Sequence, residues 1–207
     1  RWHALPIGIL LLCLLSCGIP LDDAPRDLAA ELPDALLPPA STTTEPPTPK
    51  ETVQIYLARS TAEDRMVLEP VEREIAGDGS INVILDQVLA GPTPNEREAE
   101  VVSPFAEGSE VVGTVLTGTL LEVHLNSLDG FPQDDSASNR LAFAMLVCTA
   151  SELIVGAEIN SVRIMLRRDG NLEAINAPVS DGDPPEEGAP VQCPNYASFI
   201  PEENSGD

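Results

Sequence analysis

The sequence predicts an α/β domain of the α+β kind, a mixed or antiparallel sheet with two helices on one face. Three observations predict it. Apolar and polar residues alternate through Val53–Leu57, Leu121–Leu125 and Val162–Leu166, the period of half-buried strands. Ile81, Ile84, Leu85, Val88 and Leu89 fall at i, i+3, i+4, i+7 and i+8, one apolar stripe of a helix. A longer helical stretch, Ser136 to Ile154, lies between a hairpin and the last strong strand.

The chain opens on Arg1 and His3, followed by an apolar run containing Ile7, Ile9, Leu10, Leu11, Leu12, Leu14 and Leu15. A basic start and an apolar segment of about 7–15 residues make the layout of a secretory signal. A membrane-spanning helix needs about 20 apolar residues, and this run stops short before Pro20 and Asp22. It ends in Leu14-Leu15-Ser16-Cys17, which resembles the lipobox of bacterial lipoproteins. The resemblance implies that residues 1–16 are removed and that the Cys17 thiol carries diacylglycerol, with palmitate-type chains as the membrane anchor. The expected location is the extracytoplasmic face of the cell membrane. The alternative is an ordinary signal peptide, or an uncleaved anchor, with a chance cysteine.

Residues 17–51 read as a disordered tether. Pro25, Pro33, Pro38, Pro39, Pro46, Pro47 and Pro49 interrupt every periodic pattern, and Ser41–Thr44 adds a polar tract. A short helix at Asp27–Leu37 is the one element the tether suggests. The folded domain is expected over residues 52–176. Val53–Leu57 and Met66–Glu74 form an antiparallel pair, with Pro70 marking an edge or bulge. Asp78-Gly79-Ser80 offers capping side chains for the first helix, and Gly91-Pro92 stops it. Glu96, Glu98 and Glu100 beside Arg97 read as a solvated face. Glu110–Leu116 and Thr119–Asn126, joined at Thr117-Gly118, read as a tight hairpin. On its second strand Leu121, Val123 and Leu125 share one face, and Glu122, His124 and Asn126 the other. In the long helix Leu141, Met145, Cys148 and Glu152 recur on one side, capped by Ser136 or Ser138. Ser161–Arg168 is the strong strand, and Asn171–Asn176 a final short one. Residues 177–207 form an acidic, proline-rich tail, except for Val191–Cys193 and Tyr196–Ile200.

Of four cysteines, Cys13 leaves with the signal and Cys17 is consumed by lipid. Cys148 and Cys193 remain as an even pair outside the reducing cytoplasm, and we read them as one disulfide pinning the tail. The alternative is a buried free Cys148 and an unrelated Cys193.

Leu89-Ala90-Gly91-Pro92-Thr93, then Glu96, the turn from Ser103-Pro104 to Gly108, and Leu121-Glu122-Val123-His124-Leu125-Asn126 together resemble the GerMN domain, a family named for sporulation and spore germination. Its pattern is a helix ending in Leu-x-x-Gly-Pro, a Glu, an Ile-Pro-x-Gly-Thr-like turn and a Val-Asp-Leu-Ser strand. Here His124 replaces the Asp and Asn126 the Ser, and the turn at Pro104 is slightly longer. The resemblance covers residues 53–176 and implies a GerMN-like fold, similar to ring-building modules, with Leu89, Gly91, Pro92, Thr93, Glu96, Pro104, Gly108, Val123, His124, Leu125 and Asn126 as structural motif positions. It implies a non-catalytic interaction or assembly role in the cell envelope and supplies no catalytic residues.

The residues themselves point the same way. His124 is the only histidine left once the signal is removed, and no Gly-x-Ser-x-Gly elbow or glycine-rich phosphate loop is present. One histidine and two oxidised cysteines do not make a zinc site, and no cofactor is expected. Asp129, Asp134 and Asp135, or Asp181, Asp183, Glu186 and Glu187, are oxygen donors for calcium without the spacing of a calcium loop. The formal charge of −23 repels nucleic acid and anionic headgroups, so the membrane is reached through the lipid on Cys17. The expected partner is an envelope protein or a second copy. The alternative is a cell-wall glycan module or an accessory of envelope-polymer metabolism. Only Tyr56 and Tyr196 remain as polar aromatic platforms for sugar, which disfavours it.

Overall fold

The computed structural model describes residues 50–76, 79–134, 136–153 and 158–201. The lipobox Leu14–Cys17, Cys13, the tether through Pro49 with its suggested helix at Asp27–Leu37, Asp78, Asp135, Ile154 and the residues after Pro201 lie outside the described residues, whereas Lys50 and Glu51, assigned to the tether, open the first strand.

The strands divide between two sheets. In the first, β1 (Lys50–Ser60) lies between β2 (Met66–Ala76) and β3 (Val101–Val102), in the order β2-β1-β3. In the second, β4 (Val111–Thr117), β5 (Leu120–Leu125), β6 (Ser161–Arg168) and β7 (Asn171–Ala174) follow in that order. All pairings are antiparallel except β5 with β6, which is parallel. The class is therefore α+β with a mixed sheet. How the described strands split into two sheets is a tertiary choice that alternation along one chain does not encode.

Pro70 sits on β2, an edge strand, directly opposite Tyr56. The Tyr56 N–H points away from β2 and donates to Thr149 Oγ1 at 2.8 Å. In an antiparallel pair the facing residue turns its own N–H outward too, so the donor Pro70 lacks would have met only the open edge. The β4–β5 hairpin turns at Gly118, whose φ of +62° is the left-handed conformation a tight turn requires. A bulge between Val111 and Gly113 shifts the register, leaving Val112 unmatched.

Among the described residues three α-helices accompany the sheets: α1 (Ile81–Leu89), α2 (Pro94–Glu98) and α3 (Ala137–Glu152). α1 buries Ile84, Leu85, Val88 and Leu89, with Ser80 at the N-cap position but no side-chain bond to the helix N–H groups. Ser136 caps α3, its hydroxyl accepting from the Asn139 N–H at 3.2 Å. The expected one-sided stripe of α3 is corrected by the structure: every residue from Leu141 to Ala150 is buried. The helix touches β1, α1, β6 and the C-terminal segment, so this stretch has no solvent face, and Ala142, Ala144 and Ala150 allow close approach on the sides without large side chains. Aliphatic packing around this helix builds the core, joined by a ladder of Phe105, Phe131 and Phe143 with ring centroids 4.9 and 5.0 Å apart.

The acidic tail packs onto the body through its apolar residues. After Ala177 the chain returns to the body. Val191 exchanges two 2.8 Å backbone hydrogen bonds with Val162, covering the part of the β6 edge that β7 leaves open. A 3-10 helix, Cys193–Phe199, lies on α3 and β2 with Tyr196 fully buried and Phe199 nearly so. A disulfide joins Cys193 to Cys148 on α3. With 45 residues separating the two cysteines, the chain-entropy contribution is about 4 kcal/mol at most.

Candidate functional site

The motif residues cluster where α1 gives way to α2. Gly91 ends α1 with φ +72°, a conformation that would strain any side chain. Thr93 is the N-cap of α2: its hydroxyl accepts from the Glu96 N–H at 3.3 Å, and the Glu96 carboxylate accepts from the Thr93 N–H at 2.7 Å. This is a reciprocal capping box with Pro94 in the first helical turn.

Glu96 does more than cap. Both its oxygens accept from Arg73 of β2, Oε1 from Nε at 3.0 Å and Oε2 from Nη2. Arg73 also donates from Nη2 to the Gly91 carbonyl at 2.9 Å and from Nη1 to the Gln87 carbonyl at 3.1 Å. The Arg73 side chain is 8% exposed and that of Glu96 15%. Burial alone would raise the Glu96 carboxyl. The hydrogen bonds from Arg73 and Thr93, with the Arg73 charge, outweigh it and hold the group below its ordinary range.

So Glu96 does not belong to the solvated face assigned to it, although Glu98 and Glu100 are exposed. Its partner stands 23 positions away on another element, which charge spacing cannot show. The readable signal was Thr93-Pro94-Asn95-Glu96, a capping-box pattern with proline at its first helical position. Arg73 itself carried none; it reads as one of the polar positions of a strand.

The remaining motif positions tie two loops together. The Asn126 side-chain oxygen accepts from the Glu110 and Ser127 N–H groups at 2.8 and 2.7 Å. Ser127 Oγ donates to the Gly108 carbonyl, and Ala106 N–H to the Gly130 carbonyl, both at 2.8 Å. A Cβ on Gly130 would lie 2.6 Å from the Ala106 oxygen, so the loops approach this closely only because residue 130 is glycine. Pro104 is half-buried in the same loop, and Leu89, Val123 and Leu125 belong to the core.

His124 is only 9% exposed although it faces away from Leu121 and Val123. It stands beside Gly113 and Met165 on the neighbouring strands, and its Nε2 has Glu122 at 3.9 Å and no hydrogen-bond partner. Glu122 accepts instead from Arg163 Nη1 at 2.9 Å. The structure brings no serine, threonine or cysteine nucleophile into a hydrogen bond with His124 among the described residues.

Two open clefts flank the motif turn and share Ala90 and Phe105. The larger, about 520 Å³, is lined by Asp86, Leu89, Phe105, Glu107, Glu110 and Val111, among others. Asp86 accepts from the Val111 N–H at 2.8 Å, and burial, reinforced by the Glu110 charge, pushes its carboxyl up. The smaller, about 330 Å³, includes Gly91, Pro92, Arg97 and the exposed Val102. Among the described residues no group of three or more His, Cys, Asp or Glu is placed to hold a metal ion. Asp181, one of the calcium candidates, accepts from the Ser198 N–H at 2.8 Å and the Ser180 hydroxyl at 2.7 Å. These bonds lower its carboxyl. No described helix is long and apolar enough to cross a membrane.

Fold and motif define a class, an α+β domain whose diagnostic residues build a buried Arg–Glu lock and a two-loop knot. The chain belongs to the family described as Germane, sporulation and spore germination, whose profile matches residues 54–170. Its fold is similar to the tandem GerMN domains of the sporulation protein GerM from Bacillus subtilis, at TM-score 0.50 and 15% identity. The alignment covers 71% of this chain and 46% of that one, so this chain spans less than half of that structure. A candidate lipoprotein from Clostridium perfringens aligns over 73% of this chain and 93% of its own, at 10% identity and TM-score 0.42. No curated protein matches the chain.

Proposed function

We propose that this protein is a non-catalytic interaction or assembly module, lipid-anchored through Cys17 at the extracytoplasmic face of a cell membrane and serving sporulation or germination. The observation that carries the reading is where the family's polar motif residues spend their hydrogen bonds. Thr93, Glu96 and Asn126 bond to Arg73 and to backbone groups, and thereby fix the surface around Phe105 and the two clefts. Such a site presents shape and charge to a partner. Residues 14–17 and the proline-rich stretch after them support the anchor and tether. Two acyl chains hold a membrane firmly where a single one does not.

Two measurements on intact cells test this. Fractionation should place the protein in the membrane, with mass analysis showing diacylglycerol on Cys17, and Cys17→Ala should release it. Crosslinking should then capture a defined protein partner or a second copy. An unlipidated protein recovered in the cytoplasm sinks the anchor, and recovery of monomer alone under effective crosslinking sinks the interaction role.

A further inference from the structure

We propose that residues 177–200 form a redox-releasable strap, freed when a dithiol reduces the Cys148–Cys193 disulfide, which uncovers the β6 edge at Val162 and the Cys148 side of α3. This goes beyond the function proposed above and does not depend on the lipid anchor.

The first argument is how the segment is tied. Most of its polar bonds are internal. The Ser180 and Asp181 N–H groups donate to the Asn195 carbonyl, Gln192 N–H to Asn195 Oδ1, and Ser198 N–H to Asp181. Across to the body, among the described residues, run the Val162–Val191 pair, the bond from Arg163 Nε to the Gly188 carbonyl at 3.1 Å, the bond from the Gly188 N–H to Asn176 Oδ1 at 2.7 Å at the root of the segment, and a long contact from Cys148 Sγ to the Cys193 carbonyl. A segment knotted to itself and lightly hydrogen-bonded to its neighbours moves as a unit, and once its covalent tie is cut only the burial of Val191, Tyr196 and Phe199 opposes its release.

The second argument is where the segment lies. The family match ends at residue 170, while the core elements β1 to β6 and the helices α1 to α3 precede that point. Releasing the strap therefore leaves the family's own elements in place. The third is access: Cys148 is 1% exposed, whereas Cys193 is only partly buried, so a thiolate reaches the bond from the Cys193 side.

The chemistry balances with a dithiol as the named reductant. Its first thiolate attacks Cys193 Sγ, forming a mixed disulfide and expelling the Cys148 thiolate, which takes up a proton. Its second thiolate then closes the reductant's own disulfide and releases Cys193. Two electrons pass from the dithiol to the protein, which ends with two thiols.

The test uses the full chain, dithiothreitol and amide hydrogen exchange. Thiol titration without denaturant should show Cys148 and Cys193 becoming free. Exchange at the Val162 and Val191 amides should then rise on the order of 10²–10³-fold, the effect of removing a cross-link over a loop of this length. The β1–β2 ladder, followed at Ile55 and Leu57, should keep its protection. The Cys148→Ala, Cys193→Ala double variant should reproduce the reduced pattern without reductant. The strap is overturned if the bond resists dithiothreitol in the folded protein, if Val162 and Val191 stay protected after reduction, or if the β1–β2 amides lose protection together with them.

Discussion

The Arg73–Glu96 lock and the C-terminal strap do the same task by opposite means. Each holds an irregular stretch of chain against the core. The lock does so with a desolvated ion pair whose hydrogen bonds are filled by Glu96, Gly91 and Gln87. The strap does so with apolar burial and one covalent bond, and it leaves the Tyr196 hydroxyl buried without a partner. The polar device lies wholly inside the family-matched residues, whereas the covalent one ties Cys148 inside them to Cys193 beyond them. A fully bonded network fixes one geometry and fails badly when one member is removed. A cross-link tolerates imperfect contacts beneath it, because it acts mainly on the unfolded chain.

The largest effect expected is at the lock. Glu96→Ala leaves a guanidinium buried with only carbonyl partners and should cost about 4 kcal/mol in urea unfolding. Replacing both members, Arg73→Met with Glu96→Leu, should recover most of that loss, because no buried charge is then stranded. A cost below about 1 kcal/mol for Glu96→Ala would place the pair with ordinary surface bridges and erase the contrast with the strap. The lock should also report pH. The folded-state Glu96 carboxyl lies below its unfolded value, so its stabilisation is complete above the unfolded pKa and lost as pH falls through the folded one. Acid unfolding should therefore steepen below about pH 4, and Glu96→Gln should flatten that limb.

The strap should respond next in size. Cys148→Ala with Cys193→Ala is expected to cost about 3 kcal/mol, less than the chain-entropy maximum, because the reduced chain keeps some structure. That loss should be largely independent of pH between about 5 and 8, where the lock's carboxylate stays ionised. A disulfide-free variant as stable as the parent would mean that burial of Val191, Tyr196 and Phe199 holds the segment unaided.

The two devices also differ in how far the sequence displays them. Strands such as Val162–Leu166 and the α1 stripe follow from periodicity, because one face meets the core and the other meets water. α3 hides its packing: with neighbours on every side, no polar face remains to mark an orientation. The lock hides in plain composition, since a Glu-Arg-Glu run on a helix looks solvated until Arg73 arrives from a strand. The strap is half visible. Val191, Tyr196 and Phe199 stand out as apolar in an acidic stretch, but the edge they meet is a tertiary fact.

The smallest effect carries the opposite sign and sharpens the comparison most. Tyr196 is fully buried, its hydroxyl has no hydrogen-bond partner, and burial pushes its pKa upward. A buried unpaired hydroxyl carries a desolvation cost, so Tyr196→Phe should stabilise the protein by about 1 kcal/mol while the ring keeps its packing. A higher thermal midpoint and slower exchange at the Val191 amide would show it. A comparable removal at the lock, Thr93→Ala, should destabilise by about 1 kcal/mol, since that hydroxyl accepts from the Glu96 N–H. Loss of a hydroxyl, accompanied at Thr93 by loss of an exposed methyl, then reads positive in the strap and negative in the lock. If Tyr196→Phe destabilises instead, its hydroxyl is bonded, the strap is held by polar contacts after all, and the distinction between the two devices fails.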